Sequence, residues 1–582
     1  MRLAARMQKK QWHILPADPI AGQLVEALKI PPILAQVLVN RQIKTVESAK
    51  TFLNPKLNDL IEPERMPGIV PAVDRIEKAI KEKQKITIYG DYDVDGITAV
   101  AILDGLFKLL GAQVDYYIPH RVDEGYGLNI EAIEQISHTG TKLLISVDCG
   151  ITAFDSAIAA KDKGIDLIIT DHHRPSPDGK LPHAVAIVHP NLDKNYPAQS
   201  SSGATVAFKL AWAVVNRIKG SAATPQHLKQ FLINATVFAA MGTIADVVEL
   251  RDENRIISSF GLRAISESSL PGIEALIGVA GIKGKTIDSI HMGYCLAPVL
   301  NAAGRMGHAR LAVELLTSDN ALKALRIAEY LKEQNKQRQQ IEKKIFKHAC
   351  SIIAEKSLDH PDKKTIVLAS SEWHTGVIGI VASRVIDKFY RPTILFNITN
   401  DKAQGSARSI EGFDILAAIT ACGKYLNTFG GHAMAAGLTI DVDKIDDFTQ
   451  ALENYAAANW NDSEFTSRFE IDAVCSLKDL SVPTVRLLST LGPFGRGNPA
   501  PVFAAKAIRL TASPRAVGIN GEHLQLAVCD NSATVRCIGF NMAYLEKKIL
   551  ENEFFSIAFE PQVDTFYGDP SVQLVLSDIQ FE

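Results

Sequence analysis

The sequence predicts an α/β chain: a parallel-sheet domain, a long connecting helix, a second α/β domain and a small C-terminal β-barrel. Three observations carry that prediction. From Lys85 onward, short β-branched runs alternate with helical periods, the rhythm of a doubly wound parallel sheet. Residues 321–357 keep an apolar period among Lys, Arg and Gln with no Gly or Pro, which reads as one uninterrupted helix. After about residue 463 the pattern changes to short alternating runs around 502–505, 524–528, 534–538, 555–559 and 572–576, as in a small barrel.

In the first domain the strands are expected at 85–89, 113–118, 142–147, 166–170 and 184–189, with helices at 97–110, 128–138 and 151–163. Residues 1–80, broken at Pro31-Pro32, Pro55 and Pro67, read as a helical cap on that domain. The remaining boundaries are 81–320 for the first domain, 321–358 for the connecting helix, 359–460 for the second domain and 461–582 for the barrel. A linker-like Gly492-Pro-Phe-Gly-Arg-Gly-Asn-Pro-Ala-Pro precedes the barrel strands.

A length of 582 residues suits three or four domains, and a formal charge of −3 supplies no global basic field. A nucleic-acid partner must therefore meet local clusters of Lys and Arg. The seven cysteines form no CxxC pair, which excludes a zinc–thiolate site and fits a reducing cytoplasm. The N-terminal MRLAARMQKKQWHIL lacks the apolar core of a signal peptide, and no apolar run is expected to span a bilayer. A cytoplasmic protein without a membrane partner is the expectation.

The chemistry centres on Ile86-Thr-Ile-Tyr-Gly-Asp-Tyr-Asp-Val-Asp-Gly, where a strand runs into Asp91, Asp93 and Asp95. Helix capping needs one of these acids, with Asp95 the candidate cap; three so close repel each other unless a cation joins them. Two further strands end in Asp148-Cys149-Gly150 and in Asp171-His172-His173-Arg174, and an apolar helical stretch ends at Asp246. Each could be a cap or a satisfied loop residue, but in a doubly wound sheet the strand ends converge on one crevice. Carboxylates with imidazole and no thiolate suit Mn²⁺ or Mg²⁺, and so many acids suggest two ions about 3.5–4 Å apart.

The strings GDYDVDG, VDCGI, TDHHRP and GTIADVV, in that order, resemble the DHH phosphoesterase superfamily. IPHRVDEGYGLN (118–129), PVLNAAGRMGHA (298–309), GVIGIVASRV (376–385), GSARS (405–409) and FGGHAMAAG (429–437) resemble its single-stranded-DNA exonuclease branch. The resemblance implies metal ligation by Asp91, Asp93, Asp95, Asp148, His172 and Asp246, with Asp148 and His173 at the reacting phosphate. It also implies a second domain of the DHHA1 type and an oligonucleotide-binding (OB) fold at the C-terminus. Gly405-Ser406-Ala-Arg408 and Phe429-Gly430-Gly431-His432 read as small-residue turns that let backbone N–H groups approach phosphate. Arg121, Arg305, Ser406 and Arg408 resemble a pocket for a 5′-terminal phosphate; the bland alternative is arginines that tie two domains together.

The implied activity is two-metal hydrolysis of single-stranded DNA from the 5′ end to mononucleotides, in repair and recombination. The resemblance also implies a monomer that meets a single-strand-binding protein and a helicase. Two rivals are a phosphoesterase of small substrates, which needs neither long helix nor barrel, and a non-catalytic DNA-binding scaffold, which would lack some of the acids.

Overall fold

The computed structural model describes residues 11–121, 124–460, 468–565 and 568–581; Val122 and Asp123 of the 118–129 motif lie outside them. The chain divides into two compact units. One comprises Ile61–Val248 with Phe260–Phe465, the other Gln8–Leu60 with Glu249–Ser259 and Thr466–Glu582.

In the first unit a five-stranded, wholly parallel sheet runs in the order Val114–Tyr117, Ile86–Gly90, Leu143–Val147, Asp166–Thr170, Ala186–Val188. Its central strands are buried throughout because helices cover both faces, so no alternation of buried and exposed residues survives. The strand order reverses beside Ile86–Gly90, which leads first to Val114–Tyr117 on one side and later to Leu143–Val147 on the other. A crevice opens at such a switch point beyond the strand ends. Asp91 and Asp148 follow the two strands that flank it.

Helices Val94–Leu109, Gly203–Lys219 and Gln226–Ala245 pack against one another behind that crevice. Gln226–Ala245 has the length and mean hydropathy (1.3) of a membrane span, contrary to the expectation that no stretch qualifies. Mostly buried against its neighbours, it is a core helix whose apolar character serves packing.

The connecting helix is Ala321–Glu355, 35 residues or about 52 Å long. Its buried stripe runs Ala324, Ile327, Ala328 and Leu331 against Pro271–Ala280, Ala297–Arg305 and Ala309–Leu316, and later Ile345, Ala349 and Ile353 against Thr375–Phe389. Between the two stretches the same stripe carries the polar Asn335 and Arg338.

The second sheet of this unit orders Leu426–His432, Ala435–Asp441, Lys402–Arg408, Thr393–Thr399, Ile366–Ser370, and only the last pair is parallel. Both glycine stretches expected as turns therefore lie inside strands. A Cβ on Gly405 would stand 2.5 Å from the Phe396 ring and 2.9 Å from Leu438, so this glycine admits a packed aromatic. Gly431 has φ +151°, and its Cβ would meet the Ala435 carbonyl at 2.3 Å, beside the tight connection to the next strand.

The second unit is a barrel built from Phe503–Val517, His523–Cys529, Thr534–Gly539, Phe555–Asp564 and Ser571–Phe581, closed by pairing of the first with the fourth. Here the expected cap on the first domain needs correction. Helices Ile20–Leu28, Pro32–Asn40 and Val46–Leu53 share one core with the barrel, where Leu24, Leu34, Leu38 and Ala49 join Phe503, Leu526, Phe555 and Ile557. Residues Ile33–Val39 are buried without interruption, so this helix needs apolar neighbours all round, and the barrel core supplies them. The linker-like 492–501 stretch is held in place: buried Asn498 donates to the Leu491 and Pro493 carbonyls at 2.8 and 2.9 Å.

Candidate metal centre

The first acidic string is shaped by its glycines. A Cβ on Gly90 would stand 2.2 Å from Val100, and one on Gly96 would lie 2.6–2.7 Å from Asp91, so strand, turn and helix can approach only with glycine at both places. The helix opens at Val94, three residues earlier than the apolar pattern suggests, and its N-cap is Asp93, not Asp95. The Asp93 carboxylate accepts the N–H groups of Asp95 (2.9 Å) and Gly96 (3.1 Å). Asp95 lies in the first turn and accepts the N–H groups of Gly203 (2.6 Å) and Ala204 (2.9 Å), the first residues of another helix. That helix N-terminus favours a negative charge.

Asp148 is buried with φ +62°, so it is not a helix cap; its backbone N–H donates to the Thr170 carbonyl at 2.9 Å. A Cβ on Gly203 would lie 2.6 Å from the Asp148 side chain, and one on Gly242 would lie 2.3 Å from Asp95 Oδ1. Two helices thus press against the acids through glycine.

Ligand atoms converge. His172 Nε2 lies 3.0 Å from Asp148 Oδ1, 3.7 Å from Asp95 and 3.8 Å from Asp246. Three sets each hold their donor atoms within 4.8 Å: Asp148, His172 and His173; Asp95, His172 and Asp246; and Asp91, Asp93 and Asp148. All six acid and imidazole residues expected as ligands are therefore together. Asp91 Oδ1, Asp148 Oδ1 and His172 Nε2 are buried and make no hydrogen bond. Such atoms are costly to bury unless something else satisfies them. Burial, then the neighbouring carboxylates, push Asp91 and Asp148 well above the usual range. Asp95 is pushed to about 7 for the same two reasons, against the pull of the two N–H groups. Burial, together with the charge on His173, lowers His172 to about 4, which keeps its Nε2 lone pair available. Hard oxygens around one neutral imidazole, with three unsatisfied atoms pointing inward, fit divalent Mn²⁺ or Mg²⁺.

Asp171 is a residue the sequence reading passed over, although it heads the Asp-His-His string. It accepts His173 Nδ1 (2.7 Å) and the N–H groups of Ile151, His172 and His173 (2.9, 2.7 and 3.1 Å). Burial would raise its pKa, but these bonds and the His173 charge outweigh burial and hold it at about 2. In return, and against its own burial, His173 is raised to about 9. The result is a cationic imidazole beside the acids. Tyr126 stands over it, its hydroxyl 3.2 Å from the ring and 3.2 Å from the Asp148 carbonyl.

A second group lies beside the first. Burial first, and then the nearby charges of Arg121, Arg338 and Arg408, lower Arg305 to about 9, while Asp93 acts the other way. Arg408 donates to Ser406 Oγ at 3.1 Å. Arg305 donates to the Gly376 carbonyl at 3.1 Å, so it does tie helix Ala297–Arg305 to the second domain. No described carboxylate forms an ion pair with Arg121, Arg305 or Arg408. Gly379 leaves room for this cluster; its Cβ would lie 2.8 Å from Ser406 Oγ and 3.0 Å from Arg408. Arg338, held by Asn335 (3.1 Å) and Glu342 (2.9 Å), is a fourth cation. Sequence reading took its helix as a connector whose basic stretch 332–347 could also meet nucleic-acid backbone, and gave Arg338 no place in the end-phosphate cluster. Its signal was a charged residue at a buried position of the helical period. Gly430, Gly431 and His432 are exposed on their strand and stand apart: Gly430 pairs Gly437, which pairs Ser406, a separation of about 10 Å.

Comparison with known proteins assigns the class first. Residues 85–238 match the DHH family N-terminal domain and residues 342–458 the DHHA1 domain. Residues 471–578 match the RecJ OB domain. The single-stranded-DNA-specific exonuclease RecJ of Bacillus subtilis (strain 168) is 38% identical over 575 residues, covering 98% of this chain and 71% of that protein. The RecJ of Haemophilus influenzae is 34% identical over 561 residues, covering 94% of this chain and 96% of that one. The crystal structure of RecJ in complex with Mn²⁺ from Thermus thermophilus matches with a TM-score of 0.83 at 28% identity, over 98% of this chain and 80% of that chain. The chain belongs to the RecJ family of single-stranded-DNA-specific exonucleases.

Proposed function

We propose that this chain is a metal-dependent exonuclease that degrades single-stranded DNA from the 5′ end to mononucleotides. The observation that carries the reading is the convergence of five acids and His172, three of their atoms buried without a hydrogen bond, beside an arginine–serine cluster free of described acid partners. Asp91, Asp93, Asp95, Asp148, His172 and Asp246 hold two Mn²⁺ or Mg²⁺ ions. Bound ions supply Lewis acidity and lower the pKa of water.

The chain's own residues do the rest. Asp171 fixes His173 as a cation that donates a hydrogen bond to a non-bridging oxygen of the scissile phosphate. Asp95 is oriented by the N–H groups of Gly203 and Ala204. Arg121, Arg305, Arg408 and Ser406 grip the 5′-terminal phosphate, and planar guanidinium forks favour that dianion over an internal diester. Gly430, Gly431 and His432 contact the strand farther from the terminal phosphate. The enzyme acts as a cytoplasmic monomer in repair and recombination, supplied by a helicase and a single-strand-binding protein.

The test uses 5′-phosphorylated, 5′-hydroxyl and duplex substrates with Mn²⁺ or Mg²⁺. Asp148→Ala or His172→Ala should lower turnover by at least about 100-fold without loss of fold. Arg408→Ala should raise KM for the 5′-phosphorylated strand alone. Near-normal turnover in the first two variants, or attack from the 3′ end, contradicts the reading.

A further inference from the structure

A pocket of about 350 Å³ opens in the first unit where the strand Val114–Tyr117 ends, against helices Ala297–Arg305 and Ala309–Leu316. Its wall presents His120, Arg121, His308 and Arg310, and no carboxylate is among the described residues that line it. The rings are seated. His120 Nε2 lies where a Cβ on Gly307 would come within 2.3 Å, and His308 Nε2 is 3.0 Å from the Tyr330 hydroxyl on the long helix. Two acids that touch pocket residues are already engaged. Glu314 is shared between Arg310 (3.6 Å) and Lys323 (3.4 Å), and Glu124 accepts the Tyr117 hydroxyl and the His120 N–H, both at 2.7 Å. Ala309, Arg310 and Leu311 also line the pocket as the first turn of an eight-residue helix that has neither a capping side chain nor an acid there. The Leu311 N–H donates to the His308 carbonyl at 2.9 Å, which leaves the first-turn N–H groups of Ala309 and Arg310 to add to the field of the side chains.

We propose that this pocket binds a phosphate-type polyanion. Arg121 belongs both to its wall and to the end-phosphate cluster, so two sources share the chemistry. One is the outer phosphates of a 5′-triphosphorylated strand, which rests on the end-phosphate reading above. The other is a free polyphosphate, which does not.

Inorganic tripolyphosphate, titrated calorimetrically into the full-length protein in EDTA, should bind without help from the metal centre. Arg310→Glu combined with His308→Ala should weaken it at least about tenfold, equivalent to about 1.4 kcal/mol. Turnover on 5′-monophosphorylated strands should stay within about twofold, because neither residue belongs to the metal or end-phosphate groups. Arg310→Ala alone, at an exposed side chain, should weaken binding in the same direction and serves if the double variant melts early. If wild type prefers a 5′-triphosphorylated over a 5′-monophosphorylated strand and the variant loses the preference, the strand end is the ligand. If tripolyphosphate binds and the two strands behave alike, the ligand is a free polyphosphate. Absence of binding at millimolar tripolyphosphate, or binding that Arg408→Ala abolishes and the Arg310 and His308 variants leave intact, overturns the proposal.

Discussion

Asp171 and Asp95 are both buried carboxylates within two residues of other charged groups, yet they sit at opposite ends of the titration range. Asp171 is held at about 2 by its imidazole and N–H partners, whereas Asp95 is raised to about 7 by burial and Asp93. The signs fix how the metal-free protein responds to pH. A raised group stabilises the fold below its ordinary pKa and loses that contribution as pH passes its folded value. For Asp95 the loss runs from about 4 to about 7, and for His173, raised to about 9, from about 6.5 to about 9. His172, lowered to about 4, and Asp171 act oppositely, and their contributions are lost only as pH falls toward those low values. Metal-free Tm should therefore peak in mild acid and decline toward pH 9. Divalent cations favour the ionised acids, so the rise in Tm on adding Mg²⁺ should be larger at pH 8.5 than at pH 6. Asp171→Asn should remove the part of the metal-free decline above about pH 6.5, because His173 loses the partner that raises it. Paired melts in EDTA and in Mg²⁺ read all three, and an equal Mg²⁺ increment at both pH values would refute the second.

Among elements, helix Gln226–Ala245 shows how a glycine can mean the opposite of flexibility. Alanine is ordinarily better than glycine inside a helix by about 1 kcal/mol. At Gly242 the added carbon would lie 2.3 Å from Asp95 Oδ1, 2.5 Å from Ala204 Cβ and 2.8 Å from Thr98 Oγ1. Gly242→Ala should thus destabilise the metal-free protein by about 1–3 kcal/mol in urea unfolding, the range for overpacking, and should weaken Mg²⁺ binding. A neutral or stabilising result would show that the two helices can separate at no cost to the site. The same physics explains what sequence patterns disclosed. Strand–helix alternation and strand-end residues placed the first sheet and brought Asp91, Asp93, Asp95, Asp148 and His172 to one edge, because hydrophobic periodicity and the switch-point crevice are local consequences of sequence. The full ligand set, with Asp246 at a helix end, came from the family resemblance. Glycine was ambiguous. Gly405 reads as a turn residue, but what it answers to is Phe396, a neighbour across the sheet that no local pattern contains. Asp171 was overlooked for a related reason: its partners are an imidazole two residues on and the N–H of Ile151, an arrangement only the fold creates.

For the whole molecule, the decisive fact is the core that unites residues 20–53 with the barrel. Leu24, Leu34, Val37 and Leu38 are at most 1% exposed within it. The sequence predicted helices here but not a partner more than 400 residues away. Removing residues 461–582 alone would uncover those side chains, an apolar surface that promotes aggregation. Removing residues 1–60 as well takes both contributors away. The single truncation should accordingly be less soluble than the double one and bind a hydrophobic dye more strongly. In the double truncation the acids and His172 remain, all of them within the first unit. Turnover on short 5′-phosphorylated oligonucleotides should persist, while affinity for long strands falls. For every phosphate that the barrel neutralises in the full chain, its removal should flatten the dependence of log K on log salt by about 0.7 for a single strand. A double truncation that is folded, binds long strands as tightly as the full chain and keeps the same salt slope would exclude strand binding by the barrel. The barrel and the 20–53 helices would then serve each other's folding alone.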